Sequence, residues 1–121
     1  MLALTTFALL EEGAAAQSYL HCLSKKVVIV DAPKRTTSSS TEENLGFWID
    51  EATKTVTLAD GKKLNVGRFD DRWISAVSGD VSYELDRQNG NLTYAGSATK
   101  DGIATTIIGA GQCTLGTGPA R

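Results

Sequence analysis

Val81-Ser82-Tyr83-Glu84-Leu85-Asp86-Arg87-Gln88-Asn89-Gly90-Asn91-Leu92-Thr93-Tyr94 is two alternating runs of apolar and polar residues on either side of Asn89-Gly90. Asn-Gly between such runs signals a hairpin, because glycine takes positive φ without steric penalty. A two-residue loop would set Arg87 opposite Leu92. A four-residue loop, Arg87 to Gly90, pairs Leu85 with Leu92 and Tyr83 with Tyr94 and takes Arg87 off the apolar face. It also lets the Asp86 carboxylate accept N–H groups inside the turn. Val81, Tyr83, Leu85, Leu92 and Tyr94 then share one face, with Ser82, Glu84, Asp86, Asn91 and Thr93 on the other. One core face and one wet face describe an antiparallel sheet.

The same turn layout recurs upstream, where Ile49-Asp50 and Thr55-Val56 flank four residues and Asp50 takes the role of Asp86. Phe47, Ile49, Val56 and Leu58 then face inward together. At Ala59-Asp60-Gly61, a three-residue loop with Gly61 left-handed pairs Val56 with Leu64 and keeps the faces in order. A two-residue turn at Gly79-Asp80 aligns Ile74 with Leu85 and Ala76 with Tyr83, leaving Trp73 and Val77 on the opposite face. Gln17 to Leu23 and Lys26 to Val30 read as two β-rich runs around Ser24-Lys25, ended by Pro33. Residues 34–44 are polar throughout and read as one long loop, since they bury too little surface to order themselves. Gly96 to Gly102 reads as a connection, Ile103 to Ile108 as a strand, and 114–121 as a loose tail. The expected fold is all-β: about eight short antiparallel strands in a meander that closes into a small barrel or folds into a sandwich.

A chain of 121 residues, 41% apolar and 21% charged, has the composition of one globular domain. Leu2 to Leu10 is a nine-residue apolar run, too short for a membrane span, followed by Ala14-Ala15-Ala16 before Gln17. Residues 1–16 therefore read as an export signal with an A-x-A cleavage site, and 17–121 as a single β domain. Glu11 and Glu12 account for the net charge of −2, and residues 17–121 carry twelve groups of each sign, so no footprint for nucleic acid exists. Two cysteines, Cys22 and Cys113, lie near opposite ends of that domain. In an exported protein such a pair is expected to form a disulfide.

Chemistry-bearing groups are sparse. The single histidine, His21, lacks partners for a catalytic or metal site, and bridged cysteines cannot ligate zinc. Asp70-Asp71 has no calcium-loop spacing and reads as a turn former. Asp50, Gly61, Asp86, Asn89 and Gly90 are assigned to turns. Trp48 and Trp73 fall on faces opposite the apolar stripe, and outward tryptophans are enriched in recognition surfaces. They are the candidate binding residues. No catalytic residue, metal or cofactor is expected.

The motifs Tyr19 or Leu20 before Cys22, Ile49 to Ala52 (Ile-Asp-Glu-Ala), Leu85 to Leu92 and Gly111-Gln112-Cys113 together resemble those of a group of small, uncharacterised exported proteins of proteobacteria. The resemblance covers most of residues 19–113 and implies a periplasmic or secreted β domain, without implying an activity. A fainter likeness is to periplasmic C-type lysozyme inhibitors, small eight-stranded barrels with cysteines near both ends. Of their inhibitory loop only Ser78-Gly79 and a displaced Tyr83 are present, with no basic residue between. The functional expectation is a non-catalytic, exported binding or envelope-associated domain for a protein or glycan. The alternatives are a lysozyme or hydrolase inhibitor and, last, a small hydrolase.

Overall fold

Short turns of aspartate, asparagine and glycine connect the strands of the computed structural model, which describes residues 17–116. The strands are β1 (Gln17–Ala32), β2 (Arg35–Asp50), β3 (Thr55–Leu58), β4 (Asn65–Phe69), β5 (Trp73–Ser78), β6 (Val81–Asp86), β7 (Asn91–Lys100) and β8 (Ile103–Gly116). They form one antiparallel sheet in the order β3-β2-β1-β8-β7-β6-β5-β4. Because β1 pairs with β8, the meander curls back on itself. The seam between β3 and β4 is spanned by Leu58 N–H to Lys62 O (2.8 Å), Leu64 N–H to Val56 O (2.9 Å) and a bridge between Thr57 and Lys63. The sheet is therefore a nearly closed barrel and not a sandwich.

The local registers follow from the turns. Leu85 pairs with Leu92 and Tyr83 with Tyr94; Ile74 pairs with Leu85 and Ala76 with Tyr83; Ile49 pairs with Val56. Asp86 Oδ1 accepts Gln88 N–H (3.0 Å), and Asp50 Oδ1 accepts the N–H groups of Ala52 (3.0 Å) and Thr53 (3.2 Å). Gly61 has φ +95°, as the three-residue loop requires. The inward side chains, among them Phe47, Ile49, Val56, Leu85, Leu92 and Tyr94, make one buried cluster. A residual gap of about 20 Å³ at its centre leaves no room for a ligand. A small eight-stranded barrel is expected to fill itself in this way.

Three segments differ from the sequence reading. Gln17–Leu23 and Lys26–Val30 are one continuous strand, because Ser24 turns inward and bonds Tyr94 Oη (2.9 Å) in place of breaking the run. The supposed loop 34–44 is mostly strand: β2 starts at Arg35 and pairs without interruption from Arg35·Ala32 to Asp50·Gln17. Its order comes from the backbone ladder to the β-branched run Val27-Val28-Ile29-Val30, not from burial of its own side chains, which are exposed from Arg35 to Glu42. Likewise β7 continues to Lys100 and turns through Asp101-Gly102, and β8 reaches Gly116, so residues 114–116 of the expected tail are strand and the rest of it lies outside the described residues. Beyond the barrel, the outer halves of β2, β1, β8 and β7 therefore run on together as a four-stranded extension.

Cys22 and Cys113 face each other directly across β1 and β8 and form a disulfide closing a loop with sequence separation 91. Replacing both cysteines with alanine is expected to lower the free energy of unfolding by roughly 4 kcal/mol in the chain-entropy model, read from urea denaturation. Gly90 is the tightest turn position. Its φ is +78° and its O accepts Cys113 N–H (2.8 Å), while a Cβ there would lie 2.6 Å from Cys113 O. Gly90→Ala should cost about 2 kcal/mol or more by the same measurement, the left-handed conformation alone accounting for about 1–2.

Candidate functional site

Three turns gather at one end of the barrel, and Arg87 ties them together. It leaves the apolar face, as the four-residue loop predicts, and donates from Nη2 to Glu51 Oε2 in the β2–β3 turn and from Nη1 to Asp70 O (2.6 Å) before β5. Its guanidinium also lies 5.2 Å from the centre of the Phe69 ring. Gln112 Nε2 donates to Asn89 O, and Cys113 N–H to Gly90 O, so the β6–β7 turn is fastened to β8 as well.

Inside that ring of turns is an open mouth of about 360 Å³. Its walls are aliphatic: Leu20, Ile49, Ile74, Leu85 and Leu115, with Cys113 of the disulfide. Ser18, Glu51, Arg87, Gln88 and Asn89 supply polar groups around them. The volume sits at the small end of ligand-binding cavities, and a few polar groups around apolar walls are the usual composition of such sites. Leu115 is 76% exposed, an apolar side chain displayed at the entrance. The opposite end is shut by polar contacts: Ser24 Oγ to Tyr94 Oη (2.9 Å), Tyr94 Oη to Glu43 Oε1 (3.2 Å) and Lys26 Nζ to Glu43 Oε2 (3.3 Å). Tyr94 lies across Gly109, where a Cβ would stand 2.0 Å from Cζ of the ring.

This Ser–Tyr–Glu–Lys cluster has the residue types of nucleophilic chemistry with the electrostatics reversed. Burial, followed by the Glu43 carboxylate, raises the pKa of Tyr83, and burial likewise raises that of Tyr94. A tyrosine that takes a serine proton needs a lowered pKa. His21 is exposed on the outer face of β1, and its neighbour Cys22 is consumed by the disulfide. Among the described residues no group of three or more His, Cys, Asp or Glu could hold a metal ion.

The two tryptophans stand apart from the mouth. Trp48, half-buried on the outer face, sets its ring 4.9 Å from that of the buried Tyr19. Trp73, also half-buried, begins β5 and carries the Arg72 guanidinium 5.3 Å from its ring centre. Sequence reading placed both outward but offered no route to the mouth. The mouth residues Arg87 and Glu51 lie in turns recognised by their aspartates, while Leu115 lay in the supposed tail.

Of the carboxylates named from sequence, Asp50, Asp70 and Asp86 are turn formers. Asp70 accepts the N–H of Trp73 (2.7 Å), the Arg68 Nε–H (2.7 Å) and the N–H of Arg72 (2.9 Å), and these hold its carboxyl down at about 2. Burial pushes Asp86 up, but the Arg72 guanidinium at 3.1 Å and the N–H groups of Gln88 and Asn89 outweigh it and keep the carboxyl below its ordinary value. Since the folded pKa of Asp70 is depressed, its contribution is complete above its unfolded value of about 3.9. That contribution is lost as pH falls towards about 2. Asp70→Asn should therefore be less stable than the parent at neutral pH, and the difference should vanish near pH 2; urea midpoints across pH 2–7 check this. Comparison of the chain with family models, curated proteins and solved structures finds no match.

Proposed function

We propose that the chain is a non-catalytic, exported binding domain that takes an apolar group of a protein partner into the barrel mouth. The observation carrying this reading is the mouth itself: an aliphatic cavity of about 360 Å³ held open by turns fastened through Arg87, with Leu115 exposed at its entrance. Aliphatic walls without an aromatic ring suit an inserted apolar side chain better than a sugar. A glycan would instead stack on the outer tryptophans, Trp48 and Trp73, whose rings already pack against Tyr19 and Arg72. The buried disulfide fits an oxidising compartment. Export to the periplasm or exterior rests further on the pattern of residues 1–16. Among the described residues no helix is long and apolar enough to cross a membrane.

The alternative of a lysozyme or hydrolase inhibitor is separated by assay: it requires C-type lysozyme to be slowed at micromolar concentration of the chain. For the preferred reading, anilinonaphthalenesulfonate should bind saturably at one site per chain by calorimetry. Leu115→Asp should weaken that binding by about tenfold or more, since it sets a charge in the apolar entrance. Absence of saturable binding, or binding indifferent to Leu115→Asp, would remove the mouth as a site. A turnover activity abolished by His21→Ala would overturn the non-catalytic assignment.

A further inference from the structure

Strand β2 has an open edge. Gly46 O accepts Ala59 N–H (3.0 Å) on the side away from β1, and N-terminal to it no described residue pairs with β2 on that side. The ladder to β1 carries no bulge, so alternation extends the outward direction of the Gly46 peptide groups to Asn44, Glu42, Ser40, Ser38 and Thr36. Ser24 Oγ–H reaches Glu43 O (3.3 Å) from the β1 side, as the same alternation requires. Sheet edges are ordinarily blunted by lysine, proline or a bulge. The run Thr36-Thr37-Ser38-Ser39-Ser40-Thr41 has none of these.

The charges flanking that run give its direction of pairing. Lys34 and Arg35 stand at one end and Glu42 and Glu43 at the other. An antiparallel copy of the strand sets the basic end against the acidic end twice over, whereas a parallel copy sets like against like. We infer that β2 pairs with β2 of a second copy of this chain, antiparallel about a two-fold axis at Ser39, joining two four-stranded extensions into one continuous sheet. An axis normal to the sheet keeps each residue on its own face, so even residues meet even and odd meet odd. With Ser39 on the axis, Ser38 faces Ser40 and Thr36 faces Glu42 as hydrogen-bonded pairs, giving about eight backbone bonds. Thr37 then faces Thr41, and Arg35 faces Glu43, in the closer non-hydrogen-bonded pairs where side chains interact most. Moving the axis to Ser38 loses both the Thr37·Thr41 and Arg35·Glu43 pairs.

Sedimentation velocity on the disulfide-intact protein, over low to high micromolar concentration, should show a monomer–dimer equilibrium that weakens with salt. Arg35→Glu should raise the dimer dissociation constant by about tenfold or more, with circular dichroism unchanged. Ser40→Pro, which removes an outward N–H and no N–H of the β1 ladder, should do the same. Ser39→Cys should cross-link into a covalent dimer on mild oxidation, and Thr36→Cys should not. A monomer at every concentration, an association indifferent to Arg35→Glu, open-ended oligomers, or cross-linking by Thr36→Cys in place of Ser39→Cys would each overturn the inference.

Discussion

The pairing of β1 with β8 is the constraint on which the rest of the molecule depends. Every other strand contact joins neighbours in sequence through a short turn, and each of those hairpins can form from local information. Only the β1–β8 ladder brings together segments some ninety residues apart, and it bears the loop-closure entropy for the whole sheet. The disulfide sits within that ladder, Cys22 opposite Cys113, and fixes its register. A slip of one residue would turn the inward set of β1, including Leu20 and Ser24, to the outside. It would also separate Leu20 from Leu115, and with them one wall of the mouth.

The same register makes the two ends of the barrel different. Towards the chain termini it brings Leu20, Leu115 and Cys113 beneath the turns that Arg87 fastens, leaving aliphatic surface facing an opening. Towards the extension it brings Ser24 under Tyr94, and Glu43 and Lys26 complete a polar plug whose side-chain groups all find partners. Satisfied polar groups at one end and unfilled apolar walls at the other set the two ends different tasks. The plugged end holds the sheet where it flattens into the extension, and the open end keeps surface that a partner could remove from water.

What could be read from the sequence was what local chemistry determines. Asp50, Asp86, Gly61 and Gly90 mark turns because their side chains or φ angles act within a few residues, and the registers of the hairpins they close follow from them. The inward faces of β2, β3, β5, β6 and β7 within the barrel came with those registers. What was not legible is structure conferred by a partner strand. Residues 35–44 contain no apolar alternation; their order is borrowed from Val27 to Val30 across the ladder. Leu115 was unreadable for the same reason, since its inward place comes from facing Leu20 across β1 and β8. The mouth, assembled from five separate segments, had no sequence signal beyond its turns.

The extension shows how a polar strand serves an apolar one. Val27, Val28, Ile29 and Val30 are only half-buried, and β8 flanks them on one side with Ile107 and Ile108. Without β2 they would present their own backbone as an apolar edge, a template for uncontrolled pairing. The serine and threonine strand covers that edge and replaces it with one whose side chains gain little by leaving water. Contact along such an edge rests on backbone hydrogen bonds and end charges, each of small net value. It is therefore reversible and sensitive to salt, and selective for strands of matching charge order. Contact at the mouth is of the other kind, driven by aliphatic surface and governed by shape. The two surfaces lie at opposite ends of β1 and β2, so one can be occupied without obstructing the other.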